Sequence, residues 1–364
     1  MQLFSPTGLI ERRTLLRAAG GAFLAGLAPR AAEALAETDA VFASAYFDRE
    51  GQYGVALLTE RGEIVHRYVL PERGHDAVFD PTGRTLVVFA RRPGTFAAVI
   101  DTANAATPVV FHAPEGRHFY GHGRFSADGR LLYVTENDYD NARGAIGIYD
   151  ATDGFRRIGE FSSGGIGPHD MTILPGARTM LIANGGLETH PDYGRTILNL
   201  ATMKPNLALV DLRDGSIRAT HELPHEMHKL SIRHLSMTAD GTVWFACQDQ
   251  GDIHKLFPLA GSVSPQGELA LLDIPEEDLR RLHGYIGSVV VNERAGSVVF
   301  TSPQGNVAYE IDRESRAVRA RHDLVDVCGA AARGDGFFLS TGQGMLDGRQ
   351  TSLAWDNHIV RRPA

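Results

Sequence analysis

The chain contains a unit that repeats every 47 residues, and this period constrains the fold more than any other feature. Three copies begin at His75, His122 and His169, so that both intervals are 47 residues long. Each copy has the pattern of a short apolar strand, a glycine-containing hairpin turn and a stronger apolar strand. Further copies begin at His234, at Ser288 and at Cys328.

The period also predicts the number of units. Residues 37–364 number 328 (364 minus 36), and 328 divided by 47 is close to seven. Periods in the forties with four short strands each are typical of β-propeller blades, and the 40 glycines suit the many tight turns of such a fold. We therefore predict an all-β, seven-bladed β-propeller over residues 37–364. Val41 to Leu70 supplies three strands, and the C-terminal segment should add the fourth and close the ring.

Residues 1–36 have the pattern of an export signal. Arg12 and Arg13 precede two leucines and a Gly/Ala-rich apolar run, and residues 34–36 offer small residues for cleavage. The paired arginines resemble a twin-arginine signal, with an ordinary secretion signal or a retained anchor as alternatives. We expect a periplasmic protein, exported folded, without a transmembrane segment in the mature chain. Because such signals often export proteins already loaded with a cofactor, this one favours a bound metal.

Net charge, cysteine positions and motifs limit the classes of partner, disulfide and cofactor that the chain is expected to have. A net charge of -8 and an isoelectric point near 6.0 argue against nucleic acid or an anionic membrane as partner. The two cysteines fall at dissimilar places, Cys247 in mid-strand and Cys328 at a strand entry, so we expect both to be unpaired. No phosphate loop, dinucleotide glycine pattern or serine nucleophile elbow is present, and no nucleotide cofactor is expected.

Polar residues recur where the predicted inner strands begin, and these entries should meet at one mouth of the central channel. Aligned on their turns, His122 and His234 coincide with the two aspartates, while two histidines stand one place earlier. Ser288 aligns with His122, and Cys328 with His169. Histidine and aspartate should therefore alternate around one axis. The predicted metal ligands are His75, Asp76, His122, His169, Asp170 and His234.

Two interpretations of this set remain open. A single histidine at a blade entry is more often structural, bonded to a neighbouring backbone. Four histidines and two aspartates in one funnel are costly unless they are hydrated, mutually bonded or holding a metal. Such ligands suit a first-row transition ion such as iron, copper or zinc, and no spacing in the sequence decides among these.

The loops after second strands should lie at the same mouth. Residues 185–205 make one repeat 18 residues longer than the others, and we expect this insertion to cover the mouth. Further candidates at the mouth are Glu136, Glu188, His190, Ser288 and Cys328. A group of histidines between 221 and 228 is either a second metal patch or a solvated loop, and the second interpretation is favoured.

Several stretches resemble a known bacterial family, domain-of-unknown-function family 1513. The resemblance covers nearly all of the chain after residue 36. It rests on Gly121-His122-Gly123, Gly167-Pro168-His169-Asp170, Leu187-Glu188-Thr189-His190-Pro191, Arg233-His234-Leu235-Ser236, Gln250-Gly251 and Asp326-Val327-Cys328-Gly329. It implies an exported seven-bladed propeller. It also implies possible periplasmic iron-uptake partners of imelysin type and dihaem-oxidoreductase type, with no assigned activity or catalytic residue.

Three functions follow as hypotheses. The first is a periplasmic protein that binds a metal or metal complex in iron handling. The second is a hydrolase or lactonase that uses a metal at the channel mouth to activate water or polarise a carbonyl. The third is a metal-free scaffold whose ring face docks a partner protein.

Overall fold

The chain forms seven four-stranded antiparallel sheets arranged as a ring, which confirms the predicted seven-bladed propeller. The computed structural model describes residues 40–103, 106–194, 196–252 and 254–363. The predicted signal, residues 1–36, lies outside the described residues. Within the described ranges, no helix is both long enough and apolar enough to cross a membrane.

The strands of each blade run from the channel outwards. The inner strands are β28 (Ala354–Arg361), β4 (Gly74–Phe79), β8 (Arg117–Phe125), β12 (Pro168–Ile173), β16 (Leu230–Met237), β20 (Ser288–Asn292) and β24 (Val327–Arg333). The second strands are β1 (Phe42–Phe47), β5 (Thr85–Ala90), β9 (Leu131–Asp138), β13 (Thr179–Asn184), β17 (Val243–Asp249), β21 (Ser297–Ser302) and β25 (Gly336–Thr341).

The two outer layers complete the blades. The third strands are β2 (Tyr53–Leu58), β6 (Phe96–Asp101), β10 (Arg143–Asp150), β14 (Asn206–Asp211), β18 (Ala260–Val263), β22 (Val307–Asp312) and β26 (Met345–Leu346). The outermost strands are β3 (Ile64–Val69), β7 (Val109–His112), β11 (Arg156–Ser162), β15 (Ile217–Glu222), β19 (Leu269–Leu271), β23 (Val318–Asp323) and β27 (Arg349–Gln350). One short helix, α1 (Glu276–Arg281), precedes β20, and single 3-10 turns span Pro191–Tyr193, Leu200–Thr202 and His225–Met227.

Ring closure follows the prediction from the sequence. The C-terminal strand β28 pairs with β1, so the first blade takes its inner strand from the end of the chain and its other three from the start. Each inner strand contacts the inner strands of the blades on either side, including β28 with β4 and β24 with β28. The backbone hydrogen bonds between β28 and β1 therefore join the last strand of the propeller to the first.

Burial explains why the strands differ in pattern. Second strands are packed on both faces by neighbouring blades, and β5 accordingly reads as a continuous apolar run of which all but the first residue are buried. Outermost strands have one solvent-exposed face, and β23 alternates half-buried and exposed residues along its length. The core lies between blades, as where the ring of Phe42 stacks on that of Phe338 at 4.9 Å.

Candidate metal centre in the channel

Most inner strands carry a β-bulge where their polar residues stand. The register shifts between inner and second strand in six blades, and the β20–β21 pair is regular. A bulge sets two or more residues of one strand against one of its partner, which breaks the alternation of side chains. Adjacent residues such as His75 and Asp76 can therefore both lie near the channel.

The pairing confirms the alignment predicted from the turns. Asp76, His122, Asp170 and His234 each stand three residues before an inner-strand residue paired with the first or second residue of its second strand. Ser288 has the same position in its blade. In the four consecutive blades that begin with β4, β8, β12 and β16, aspartate and histidine alternate at this first level. A second level, one residue earlier, holds His75, His169, Arg233 and Cys328.

A fifth histidine, which the sequence reasoning missed, completes the group. His358 lies on β28 at the first level, three residues before Arg361, which pairs with Phe42. The signal was weak because β28 pairs with β1 and not with a strand that follows it, so the sequence gives no hairpin turn by which to align His358. Its strand had been predicted as the inner strand of the first blade, and this placement alone would have brought it to the channel.

Five imidazole rings meet at the channel axis, and we refer to them as the histidine cluster. The ring centroids of His234 lie 4.7 Å from those of both His169 and His358, and those of His75 and His122 are 5.0 Å apart. Four of the five residues are no more than 7% exposed, and His358 is partly buried. The cluster consists of His75, His122, His169, His234 and His358.

The nitrogens of the cluster satisfy the distances for shared ligation. Nitrogens of His75, His122 and His358 lie within 4.8 Å of one another, and the same holds for His122, His169 and His234. Nitrogen ligands of a tetrahedral zinc ion are about 3.4 Å apart, because zinc–nitrogen bonds are about 2.1 Å long. These nitrogens would therefore have to approach one another by up to about 1.4 Å to bind one ion.

Several cluster nitrogens are buried without a hydrogen-bond partner among the described residues. These are Nε2 of His122, His169 and His358 and both ring nitrogens of His234. Buried polar atoms are nearly always bonded, because an orphan costs about 1–3 kcal/mol. These nitrogens are therefore available to bind a metal ion or to form a hydrogen bond with a small ligand.

His118 shows what a structural histidine of the same protein looks like. It is 1% exposed, its Nδ1 donates to the carbonyl of Phe119 at 2.9 Å, and its Nε2 accepts from the side-chain amide of Asn137 at 2.9 Å. Both nitrogens are satisfied, as expected for a packing role. The contrast with His234 distinguishes the cluster from ordinary buried histidines.

Carboxylates fix the orientation of two rings. Nδ1 of His122 donates to Asp76 Oδ2 at 2.9 Å, and Nδ1 of His75 donates to Asp356 Oδ1 at 3.2 Å. A carboxylate on Nδ1 leaves the Nε2 lone pair available and raises its basicity, as in many metal sites. Asp170 also flanks His122, at 3.6 Å. The structure thus places Asp76 and Asp170 behind His122, where they orient the ring.

An arginine fixes the opposite tautomer of His169. Nη1 of Arg233 lies 3.4 Å from Nδ1 of His169, and a guanidinium can only donate. Nδ1 is therefore the acceptor, and the proton of the neutral ring is on Nε2. His169 is consequently a hydrogen-bond donor into the channel, whereas His75 and His122 present lone pairs.

Electrostatics keep four of the five rings neutral and Asp76 charged. Burial lowers the pKa of His75, His169 and His234 well below the usual value for imidazole, and lowers the pKa of His358 to about 4. Burial alone would raise the pKa of Asp76, but the neighbouring histidines and Arg124 outweigh it and hold that pKa below its ordinary value. Neutral imidazole is the form that binds metals.

A glycine makes room for the cluster. Gly121, the neighbour of His122, has a positive φ of 103°, and a Cβ atom there would lie 2.6 Å from Cδ2 of His75. Any other residue would both strain this backbone and displace the His75 ring. The glycine in Gly121-His122-Gly123 is thereby explained by the close packing of two blades.

Two cavities open on either side of the cluster. The upper cavity, on the side where inner strands begin, has a volume of about 210 Å³ and is lined by His75, Arg91, Arg92, Tyr120, His169, Arg233, His234, Gln248, Gln250, Tyr285 and Asn357. The lower cavity, about 270 Å³, reaches His122, His234 and His358 from the opposite side, past Ser288. The cluster lies between them.

Two other predicted site residues, Glu136 and Cys328, lie outside the cluster. Glu136 is fully buried in the third blade, bonded to Arg117, Arg157 and Tyr149 at 2.7–3.1 Å. Its partners lie on the inner, third and outermost strands of that blade, so it stabilises the blade. Cys328 is buried, and its thiol lies 3.4 Å from the carbonyl oxygen of Asp356. Both cysteines are free, as predicted.

The insertion lies on the predicted face and packs against Tyr120 and Asn137 of the third blade. The carbonyl of Leu187 accepts from the hydroxyl of Tyr120 at 3.4 Å, and that of Thr189 accepts from Asn137 at 3.0 Å. No described residue of 185–205 lines the upper cavity. The insertion therefore braces Tyr120 on the cavity wall without itself lining the cavity. Glu188 and His190 belong to this insertion.

His190 and the other histidine-rich loop lie near the surface. His190 is 22% exposed and lies 3.3 Å from Asp140. His225 and His228 are stacked at 5.6 Å in an exposed 3-10 turn. These groups do not reach the channel cluster.

Comparison with known proteins identifies the family. Residues 68–362 match the family described as "Protein of unknown function (DUF1513)", and the chain belongs to that family. A search of curated proteins found no match.

Comparison with solved structures found a similar fold in one protein and a weaker alignment with another. The chain is similar to hydrazine synthase from Kuenenia stuttgartiensis, with a TM-score of 0.59 and 14% identity, over 81% of this chain and 91% of that one. A structure of a nidogen/laminin complex aligns with a TM-score of 0.47 and 13% identity, over 77% of this chain and 92% of that one. At such identities the likeness concerns the fold alone.

Proposed function

We propose that this DUF1513 propeller binds a first-row transition metal ion in its central channel. The ligands are the Nε2 atoms of His75, His122 and His358, with His234 completing the set. The observation that carries the proposal is the convergence of buried, unpartnered imidazole nitrogens from different blades. An all-imidazole donor set suits zinc, copper, iron or nickel better than magnesium or calcium.

The chain's own groups support this role in three ways. Asp76 and Asp356 hold two rings in the tautomer that leaves Nε2 free. Burial keeps His75, His234 and His358 unprotonated, so a metal need not displace an added proton from these rings near neutral pH. The seven blades hold their inner strands in place, which presets the ligand geometry before any ion arrives.

The proposed role is periplasmic metal binding, and iron handling is its more specific form. The resemblance to the family supports the iron role and the iron-uptake partners, and the metal found in the protein will test that role. Metal-assisted hydrolysis is the second candidate, since the upper cavity gives a small substrate direct access to the cluster.

The test is the metal content of protein purified after export, measured by mass spectrometry. We expect about one ion per chain in the parent and a large loss in the double variant His122→Ala, His234→Ala, with the blades still folded. His118→Ala is the matched control, because it also removes a buried histidine and should keep the ion.

Two results would contradict the proposal. One is a parent without metal that also fails to take up iron, copper or zinc in titration. The other is full metal retention in the double variant. Hydrolysis of lactones by the metal-loaded parent, lost in the double variant, would favour the enzyme over the binding protein.

A further inference from the structure

We propose that the upper cavity binds a small oxyanion, a carboxylate or a phosphate, next to the histidine cluster. The inference names the ligand class of the proposed metal site, and in that respect it rests on the proposed function. The anion site itself depends on a separate set of residues, chiefly the arginines of the cavity wall. It can therefore be tested on metal-free protein.

The charge of the cavity wall is the first argument. Three arginines line it, Arg91, Arg92 and Arg233, and no acidic side chain appears among the described lining residues. The whole chain carries a net charge of -8, so this concentration of positive charge is a local exception. Converging guanidinium groups in a concave site are the usual means of recognising carboxylate and phosphate.

The nearest carboxylate behind the wall is already engaged. Asp356 lies 2.7 Å from Nε of Arg73, 3.1 Å from Nη1 of Arg91 and 3.2 Å from Nδ1 of His75. One carboxylate thus faces two guanidinium groups and an imidazole, and it leaves Arg92 uncompensated. The cavity retains a surplus of positive charge that an anion would neutralise.

Arg92 gives the second argument. Its Nη1 is buried without a hydrogen-bond partner among the described residues. Its guanidinium carbon stands 6.0 Å from the ring centre of Tyr120, which compensates the charge only in part. Burial also lowers the pKa of Arg92. A buried guanidinium hydrogen without an acceptor is costly, and an anion in the cavity would supply the acceptor.

The tautomer of His169 gives the third argument. Because Arg233 donates to Nδ1, the Nε2 of His169 carries a proton, and that atom is buried without a partner. His169 therefore adds a neutral donor to the same cavity. His75 and His122 thus offer lone pairs to the channel, whereas His169 offers a hydrogen. An oxyanion could accept from His169 and Arg92 while it lies against the cluster.

The size of the cavity limits the ligand. Its volume of about 210 Å³ is below the roughly 300–1,000 Å³ of sites for drug-sized molecules. Malonate or inorganic phosphate would fit, with Tyr285 and the amides of Gln248 and Gln250 as further polar contacts on the wall. Bulky or apolar ligands are disfavoured by both volume and lining.

The experiment is isothermal titration of EDTA-treated protein with malonate and, separately, with phosphate at constant ionic strength. We expect at least one to bind, and Arg92→Gln to weaken its binding by about tenfold or more. The matched control is Arg349→Gln, on the exposed outermost strand β27, which should leave binding unchanged. The anion that binds more tightly identifies the ligand class.

The outcomes separate this inference from the metal proposal. Absence of binding by both anions overturns the inference, whatever the metal content of the parent. Equal affinity in the parent and in Arg92→Gln overturns it as well. Anion binding that Arg92→Gln abolishes upholds the site even if the protein carries no metal. Tighter binding by metal-loaded than by EDTA-treated protein would support direct contact between anion and ion, and equal affinity would refute that contact.

Discussion

Replacing His234 by leucine should stabilise the metal-free protein, which is the reverse of the usual effect of a core substitution. Both ring nitrogens of His234 are buried without a partner among the described residues, and the residue is 2% exposed. Leucine has a similar volume and no polar atoms, so the substitution removes the orphans with little change in packing. Each orphan costs about 1–3 kcal/mol, and overpacking will offset part of the gain.

The magnitude can be converted into a melting temperature. The entropy of unfolding is about 2.1 cal/mol/K per residue, so for a domain of roughly 300 residues 1 kcal/mol corresponds to about 1.5 °C. A net gain of about 1–3 kcal/mol should therefore raise the melting temperature of EDTA-treated protein by roughly 1.5–4.5 °C. Differential scanning calorimetry resolves such a shift.

The control is the same change at the structural histidine. His118→Leu deprives the amide of Asn137 and the carbonyl of Phe119 of their partners, and should lower the free energy of unfolding by about 1–3 kcal/mol. The two variants should thus shift the melting temperature in opposite directions.

Added metal should make the parent more stable than His234→Leu, which reverses the order expected without metal. The parent should gain about 2.7 kcal/mol at a free ion concentration of one hundred times its dissociation constant, and His234→Leu should gain much less. If His234→Leu destabilises the metal-free protein as much as His118→Leu does, the cluster rings are satisfied structurally and the reasoning is refuted.

Two further predictions concern pH and export. Burial lowers the pKa of His118 to about 4, so this ring stays neutral in the folded protein while the unfolded chain takes up a proton near pH 6.5. Its contribution is fully present above pH 6.5 and should fall by about 3 kcal/mol as the pH drops to 4, which denaturant titrations would measure. His118→Leu should flatten this slope, and an unchanged slope would contradict the assignment. Replacing Arg12 and Arg13 by lysine should leave the precursor in the cytoplasm on fractionation, whereas unchanged export would exclude the twin-arginine route.

The sequence by itself determined the architecture. The 47-residue spacing of His75, His122 and His169 predicted seven blades, because each blade is one repeat of strands and turns whose spacing must recur for the ring to close. The repeat pattern also predicted that the blade formed by Val41 to Leu70 would take its inner strand from the C-terminal segment. Turn residues and apolar periodicity are local signals, and local signals suffice for a fold built from nearest-neighbour contacts.

The level of each polar residue was also encoded locally. The alignment that set His122 and His234 beside Asp76 and Asp170 agrees with the observed strand pairing. The hairpin turn after each inner strand fixes this register, and the turn is visible in the sequence. The same dependence explains why His358, whose strand ends the chain, was missed.

Only the tertiary structure decided what those residues do. Bulges bring adjacent residues to the channel, and no strand periodicity predicts a bulge. The structure set Glu136 within the second strand β9, in an ion-pair network with Arg157, although the sequence had predicted a position after that strand, at the mouth. It gave the tautomers of His122 and His169, because each depends on a partner from another blade. Hydrogen-bond satisfaction is a property of the assembled ring, and it alone separates His118 from His234.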